Sequence, residues 1–167
     1  MKEDRPIENY SVSLKDAIIF RDQVRKDNKS FVLTNGCFDL LHSGHVYSLV
    51  EASKLGDYLW IALNSDLSIK KLKGQLRPIV KEIDRAYILS HLRCVSGVTI
   101  FNSRRLDKEI LALKPDIYVK AGDYNSSSIA EEEHQALNQV KAKIDFVTFL
   151  PQRSTTSLID KIISNNE

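Results

Sequence analysis

The sequence predicts an α/β protein, a parallel sheet of five strands with helices on both faces. Five short apolar runs, plainest in FVLTN, YLWIALN and DIYVKAG, alternate along the chain with segments whose apolar residues recur at helical spacing. The runs lack strict polar alternation. Strands buried on both faces read this way, and such sheets are parallel and covered by helices. A length of 167 residues suits one such domain and is too short for two of full size.

Residues 1–12 read as an arm of weak pattern, and residues 13–167 as a single domain. Ser13-Leu14-Lys15-Asp16 has capping-box spacing, and Leu14, Ala17, Ile18 and Val24 continue a helix to about Lys26. Phe31–Thr34 follows the turn-like Asp27-Asn28-Lys29 as a strand, and 36–43 is a loop. Val46, Leu49, Val50 and Ser53 mark one face of a second helix, which Gly56 closes. Tyr58–Leu63 is a strand, Leu67–Leu72 a short helix and Lys73–Lys81 a basic loop. A helix over Asp84–Leu92 precedes a strand over Gly97–Phe101, and Arg105–Leu113 is a helix stopped by Pro115. Asp116–Lys120 is a strand, Ala130–Val140 a helix, Ile144–Leu150 the last strand and Thr156–Ile163 the last helix. Ligands of such sheets bind at the carboxyl ends of the strands, so the segments just after each strand hold the candidate chemistry.

Composition narrows the function classes. The chain is 43% hydrophobic and 28% charged, as soluble domains are, and its apolar runs are too rich for a disordered chain. No apolar stretch approaches the roughly 20 residues of a membrane span. MKEDRPIENY lacks the apolar core of a secretory signal, so a cytoplasmic location is expected. Cys37 and Cys94 lie far apart, which disfavours a disulfide framework and a zinc ribbon. With 24 Lys and Arg against 22 Asp and Glu, the net charge of +2 gives no reason to expect a nucleic acid partner. An anion site must therefore come from local clustering.

The densest constellation is Asn35-Gly36-Cys37-Phe38-Asp39-Leu40-Leu41-His42-Ser43-Gly44-His45, at a strand–loop–helix junction. Free N–H groups at a helix start suit a phosphate. Two histidines three apart rise from that same helix end. Polarised N–H groups and imidazoles there can stabilise charge that grows on phosphorus in a transition state. The run is neither G-x-G-x-x-G nor a Walker A loop, since it lacks the third glycine of one and the Gly-Lys-Ser/Thr of the other. A zinc site would need four ligands where only two nitrogens are local, and His91 and His134 fall on predicted helices as surface residues.

G-x-F-D-x-x-H-x-G-H resembles the signature of the cytidylyltransferase-like nucleotidyltransferases, over nearly the whole chain from Phe31 to Ile163. The resemblance implies a Rossmann-like sheet and transfer of a nucleoside monophosphate from a triphosphate to a phosphorylated acceptor, with release of pyrophosphate. It implies that His42 and His45 bind the triphosphate and stabilise the pentacoordinate α-phosphorus. Asn35, Gly36, Cys37, Phe38, Asp39 and Gly44 would line the nucleotide's phosphates, largely through backbone N–H groups around Cys37 and Phe38. Lys70-Lys71-Leu72-Lys73-Gly74 matches a lysine loop, in which Lys71 or Lys73 neutralises the triphosphate or the acceptor phosphate and Arg77 assists. Arg85, after Asp84, would reach the nucleotide pocket. Ser154-Thr155-Thr156 matches an S-T-T motif that opens the last helix on a phosphate, although the same hydroxyls can simply cap it.

Asn35–Asp39, Asn64-Ser65-Asp66, Leu72-Lys73-Gly74-x-x-Arg77-Pro78 and Val119–Tyr124 are similar to the heptose 1-phosphate adenylyltransferases. That likeness implies ATP with Mg²⁺ on its phosphates, heptose 1-phosphate as acceptor, Asn64 and Asp66 on the acceptor side and Asp123 on the nucleotide side. A homodimer is a possible assembly. The chain departs from the pattern at Leu150-Pro151-Gln152-Arg153, a shorter loop without glycine, where Arg153 is expected to supply a phosphate contact. A cytidylyltransferase for glycerol 3-phosphate or another polyol phosphate, and a nucleotide-binding module without turnover, are the alternatives.

Overall fold

The computed structural model describes residues 6–122, 129–148 and 155–165. Helices and strands alternate in the order α1 (Leu14–Lys26), β1 (Phe31–Gly36), α2 (Ser43–Ser53), β2 (Tyr58–Asn64), α3 (Asp66–Lys73), α4 (Glu82–Ser90), β3 (Gly97–Phe101), α5 (Asp107–Leu113), β4 (Ile117–Ala121), α6 (Glu131–Val140), β5 (Lys143–Val147) and α7 (Thr155–Ser164). The strands form one parallel sheet in the order β3-β2-β1-β4-β5, with Phe31 opposite Tyr58, Val32 opposite Ile117 and Trp60 opposite Gly97. This is the parallel five-stranded sheet that the apolar runs predicted, in the Rossmann-like form that the resemblance implied.

Successive side chains of a strand point to opposite faces, and both faces here are apolar. Phe31 and Leu33 of β1 join Trp60, Tyr118 and Leu137 in a core beneath α1, α5 and α6. Val32 between them joins Leu59, Ile61, Leu63 and Val119 against Leu49 of α2 and Leu89 of α4. Local signals set the helix starts. Ser13 accepts the Asp16 N–H at 3.1 Å and donates its hydroxyl to the same residue's carboxylate at 2.7 Å, and Ser65 accepts the Ser68 N–H at 3.1 Å. Gly74, at φ 94°, ends α3 in a backbone conformation that favours glycine.

Several boundaries differ from those read in the sequence. The second and fourth helices begin earlier, at Ser43 and Glu82, and Lys73 is the last residue of α3 rather than the first of a loop. Arg105 lies before α5, in the turn that follows β3. Residues 7–10, read as part of a loose arm, form a short 3₁₀ helix, and Tyr10 packs edge-on against Tyr87 of α4 at 4.7 Å. The Val12 N–H donates to Val98 of β3 at 2.7 Å, so this segment adheres to the sheet's body. Among the described residues no helix is long and apolar enough to cross a membrane.

β1 leads to β2 on one side and borders β4 on the other, so the direction of winding reverses between β1 and β4. Loops diverge at such a point and leave a crevice above the strand ends.

Candidate active site

A cavity of about 410 Å³ opens above the carboxyl ends of β1, β2 and β4. Asn35, Gly36, Asn64 and Ala121 form its floor, with Cys37, Phe38 and Asp39 on one wall. His45, Lys73 and Thr155 come from the start of α2, the end of α3 and the start of α7.

The first loop is shaped by two residues. Phe38 takes the left-handed region at φ 46°, which a bulky residue rarely adopts without being held there. Its ring lies over Gly36, where a Cβ would come within 2.8 Å of the ring, and meets His45 edge-on at 5.4 Å. A Cβ at Gly36 would therefore displace the Phe38 ring from its place over the loop.

His42 and His45 stack with ring centres 3.9 Å apart and planes inclined by 25°. His42 is the N-cap of α2, and its Nδ1 accepts the Gly44 N–H at 3.1 Å. That bond leaves Nε2 as the nitrogen that carries the proton of the neutral ring. His45 Nδ1 is buried with no hydrogen-bond partner. Burial, then the adjacent His42, then Lys73, push the His45 imidazole down from 6.5 to about 4. His45 is thus neutral at pH 7, and an anion beside it would raise its affinity for a proton.

Asp39 and Arg85 hold the walls in place. Asp39 is buried, and its carboxylate takes the Arg77 Nε at 2.6 Å and the N–H groups of Ile79 and Val80 at 2.8 and 2.9 Å. Arg85 is 1% exposed, and it donates to the carbonyls of Cys37 at 2.6 Å, Asn64 at 2.8 Å and Val80 at 2.9 Å, and to Asp66 at 2.7 Å. The sequence reading put Arg85 in the nucleotide pocket; the structure turns it inward, where four oxygens take up its donors. Arg77 and Asp66 are likewise engaged within this framework. Asn64 donates to Ser68 Oγ at 2.9 Å, and its Oδ1 is 4.0 Å from Cys37 Sγ.

The other expected residues divide. Gly44 is buried at the α2 start, whereas Lys71 and Thr156 are exposed and do not line the cavity. Asp123, Arg153 and Ser154 lie outside the described residues. The sequence reading missed Arg104, Arg105, Lys120 and Glu133, which also line the cavity. Lys120 Nζ lies 3.4 Å from Asn35 Oδ1, 3.3 Å from the Tyr118 hydroxyl and 3.7 Å from Glu133, while Tyr118 donates to Asn35 Oδ1 at 2.8 Å. For Lys120 the available signals were its place near the end of an apolar strand and within the Val119–Tyr124 stretch; for Arg104-Arg105 the signal was position alone, closely after another strand.

The model of the family described as Cytidylyltransferase-like matches residues 33–161. The chain belongs to that family. This cytidylyltransferase-like protein is a nucleotidyltransferase of the α/β type. It is 44% identical over 135 residues to "Bifunctional protein HldE" of Geobacter metallireducens, covering 81% of this chain and 27% of that one. It is 45% identical over 136 residues to "Bifunctional protein HldE" of Helicobacter pylori, covering 81% and 28%. The chain thus spans only about a quarter to a third of the length of these curated relatives. Among solved structures it resembles the lipopolysaccharide core biosynthesis protein from Thermoplasma volcanium, with a TM-score of 0.59 and 29% identity over 73% of this chain and 97% of that chain.

Proposed function

We propose that this chain transfers AMP from ATP to a sugar 1-phosphate, heptose 1-phosphate, and releases pyrophosphate. The observation that carries the reading is His45 at the start of α2, which lines a cavity that also holds Lys73 and stacks on His42. The naming of two relatives as HldE, and of the structural neighbour as a lipopolysaccharide core protein, supports the choice of acceptor.

In this reading an oxygen of the acceptor's phosphate attacks the α-phosphorus in line. The bond from that phosphorus to the bridging oxygen breaks, and pyrophosphate departs with the electron pair. A phosphate dianion is already a nucleophile, so no side chain need attack or remove a proton. The chain's work is positioning and stabilising charge. His42 offers Nε2–H to a phosphoryl oxygen, since its Nδ1 is occupied by Gly44. Lys73 balances charge on the triphosphate, and His45 lies against His42 where the approach of an anion favours its protonated form. Thr155 opens α7 toward the same cavity and suits a phosphate contact.

Mg²⁺ enters as part of the substrate, Mg–ATP. The carboxylates that line the cavity are engaged: Asp39 with Arg77 and two backbone N–H groups, Glu133 with Lys120 and the Leu106 N–H. The test is pyrophosphate release with each of the four nucleoside triphosphates against a panel of sugar and polyol phosphates. ATP with a heptose 1-phosphate should give the highest kcat/KM. CTP with glycerol 3-phosphate as the best pair would overturn the reading.

A further inference from the structure

An enzyme of this kind must hold two phosphate-bearing substrates in one cavity although they repel each other. Both carboxylates of the lining are engaged as described, so Lys73, Arg104 and Arg105 leave the cavity with an excess of positive charge. Lys73 sits at the end of α3. The two arginines sit in the turn after β3, on a different segment from the starts of α2 and α7.

That turn is tied down on both sides. Ser68 of α3 donates its hydroxyl to the Ser103 carbonyl at 2.7 Å, and the Leu106 N–H donates to the buried Glu133 of α6 at 3.1 Å. Arg104 and Arg105 lie between these two anchors. Among the described residues Arg104 makes no ion pair or hydrogen bond. Arg105 comes only within 3.9 Å of Glu132, an exposed pair that contributes little. A tied-down turn carrying two guanidinium groups without strong partners, at a cavity, suits a phosphate: the planar fork matches phosphate oxygens and keeps its charge at every relevant pH. In the same lining, Asn35, Lys120 and Glu133 bring donors and acceptors together, as hydroxyl groups of a sugar require.

We propose, resting on the reading given under Proposed function, that Arg104 and Arg105 form the subsite for the acceptor's phosphate, distinct from the His45–Lys73 end that takes the triphosphate. The sugar's hydroxyls then meet the Asn35–Lys120–Glu133 network.

The experiment is calorimetric titration of inorganic phosphate into the whole chain saturated with a non-hydrolysable ATP analogue. It is run on wild type, on Arg104→Gln with Arg105→Gln, and on the double lysine variant. Wild type should bind phosphate saturably, and the glutamine double variant should bind it about tenfold more weakly or worse. The lysine variant should fall between them, with affinity for the ATP analogue held within about twofold in all three. Equal losses for phosphate and for the ATP analogue would assign the pair to the nucleotide and overturn the proposal. Phosphate binding that is absent in wild type, or unchanged in the glutamine variant, would overturn it too. If arginine-dependent phosphate binding is found but no sugar phosphate supports pyrophosphate release, the subsite stands and the sugar-phosphate reading falls.

Discussion

The two edges of the sheet treat polar groups in opposite ways. At the amino edge, Asp57 at the head of β2 accepts the Ser30 N–H at 2.9 Å, the Ser30 hydroxyl at 2.8 Å and Lys29 at 3.1 Å, and returns its own N–H to Ser30. Asp116, just before β4, accepts the Phe31 N–H at 2.9 Å. Each carboxylate there ties the start of one strand to the next. At the carboxyl edge, His45 Nδ1 has no partner, Phe38 holds an unfavourable backbone conformation, and cations line an open cavity. The polar groups of one edge complete the fold, whereas at the other edge the His45 nitrogen is left without a partner beside a cavity. Binding sites often depart from full local satisfaction in this way, and the rest of the structure stabilises the departure.

Arg85 gives the severest test of that contrast, because it lies at the ligand edge yet behaves like a residue of the structural edge. Arg85→Ala would leave three carbonyls and Asp66 without their donor, and is expected to cost about 3–5 kcal/mol in chemical denaturation. Unaltered stability with loss of ATP binding would return Arg85 to the pocket. His45→Ala should show the reverse pattern, with kcat lower by about 10²- to 10³-fold and little loss in Tm, since the histidine's buried nitrogen has no bond to lose. Full turnover in that variant would remove the stacked pair from the chemistry.

Acidity sharpens the comparison further. The His45 imidazole lies at about 4 in the fold against about 6.5 unfolded, so the unfolded chain binds this proton more readily. Its contribution to stability is present above pH 6.5 and is lost as pH falls toward 4. Wild type should lose more Tm across that window than His45→Asn, and parallel curves would contradict the shift. Asp57 works at lower pH: the N–H and hydroxyl of Ser30, then Lys29, hold its carboxyl at about 2, below the usual 3.8. Its contribution is present above pH 3.8 and is lost as pH falls toward 2. Asp57→Ala should therefore lower Tm modestly at pH 7 and leave kcat/KM unchanged, the smallest of these effects, and a fall in kcat/KM would blur the division between the edges.

The local features of this protein were legible and the long-range ones were not. Strands buried on both faces announce themselves by unbroken apolar runs, and H-x-G-H is a contiguous signal at a strand–helix junction. The place of Arg104, Arg105 and Lys120 at the cavity depends on strand order, which brings the ends of β1, β2 and β4 together and sets α6 beside the turn after β3. No spacing within the chain displays that. Arg85 was legible in principle. It shares the buried face of α4 with Ala86 and Leu89, a phase that directs even a cation inward once carbonyls await it.

The carboxylate of Asp39 has a consequence for timing. The amides of Ile79 and Val80 belong to a segment outside any helix or strand, where backbone hydrogens normally exchange with solvent quickly. Both point at one buried carboxylate, which also grips Arg77. Deuterium can enter those two positions only in the moments when Asp39 releases the loop between α3 and α4. Their exchange rates, compared with and without nucleotide, would therefore clock how often this wall of the cavity opens.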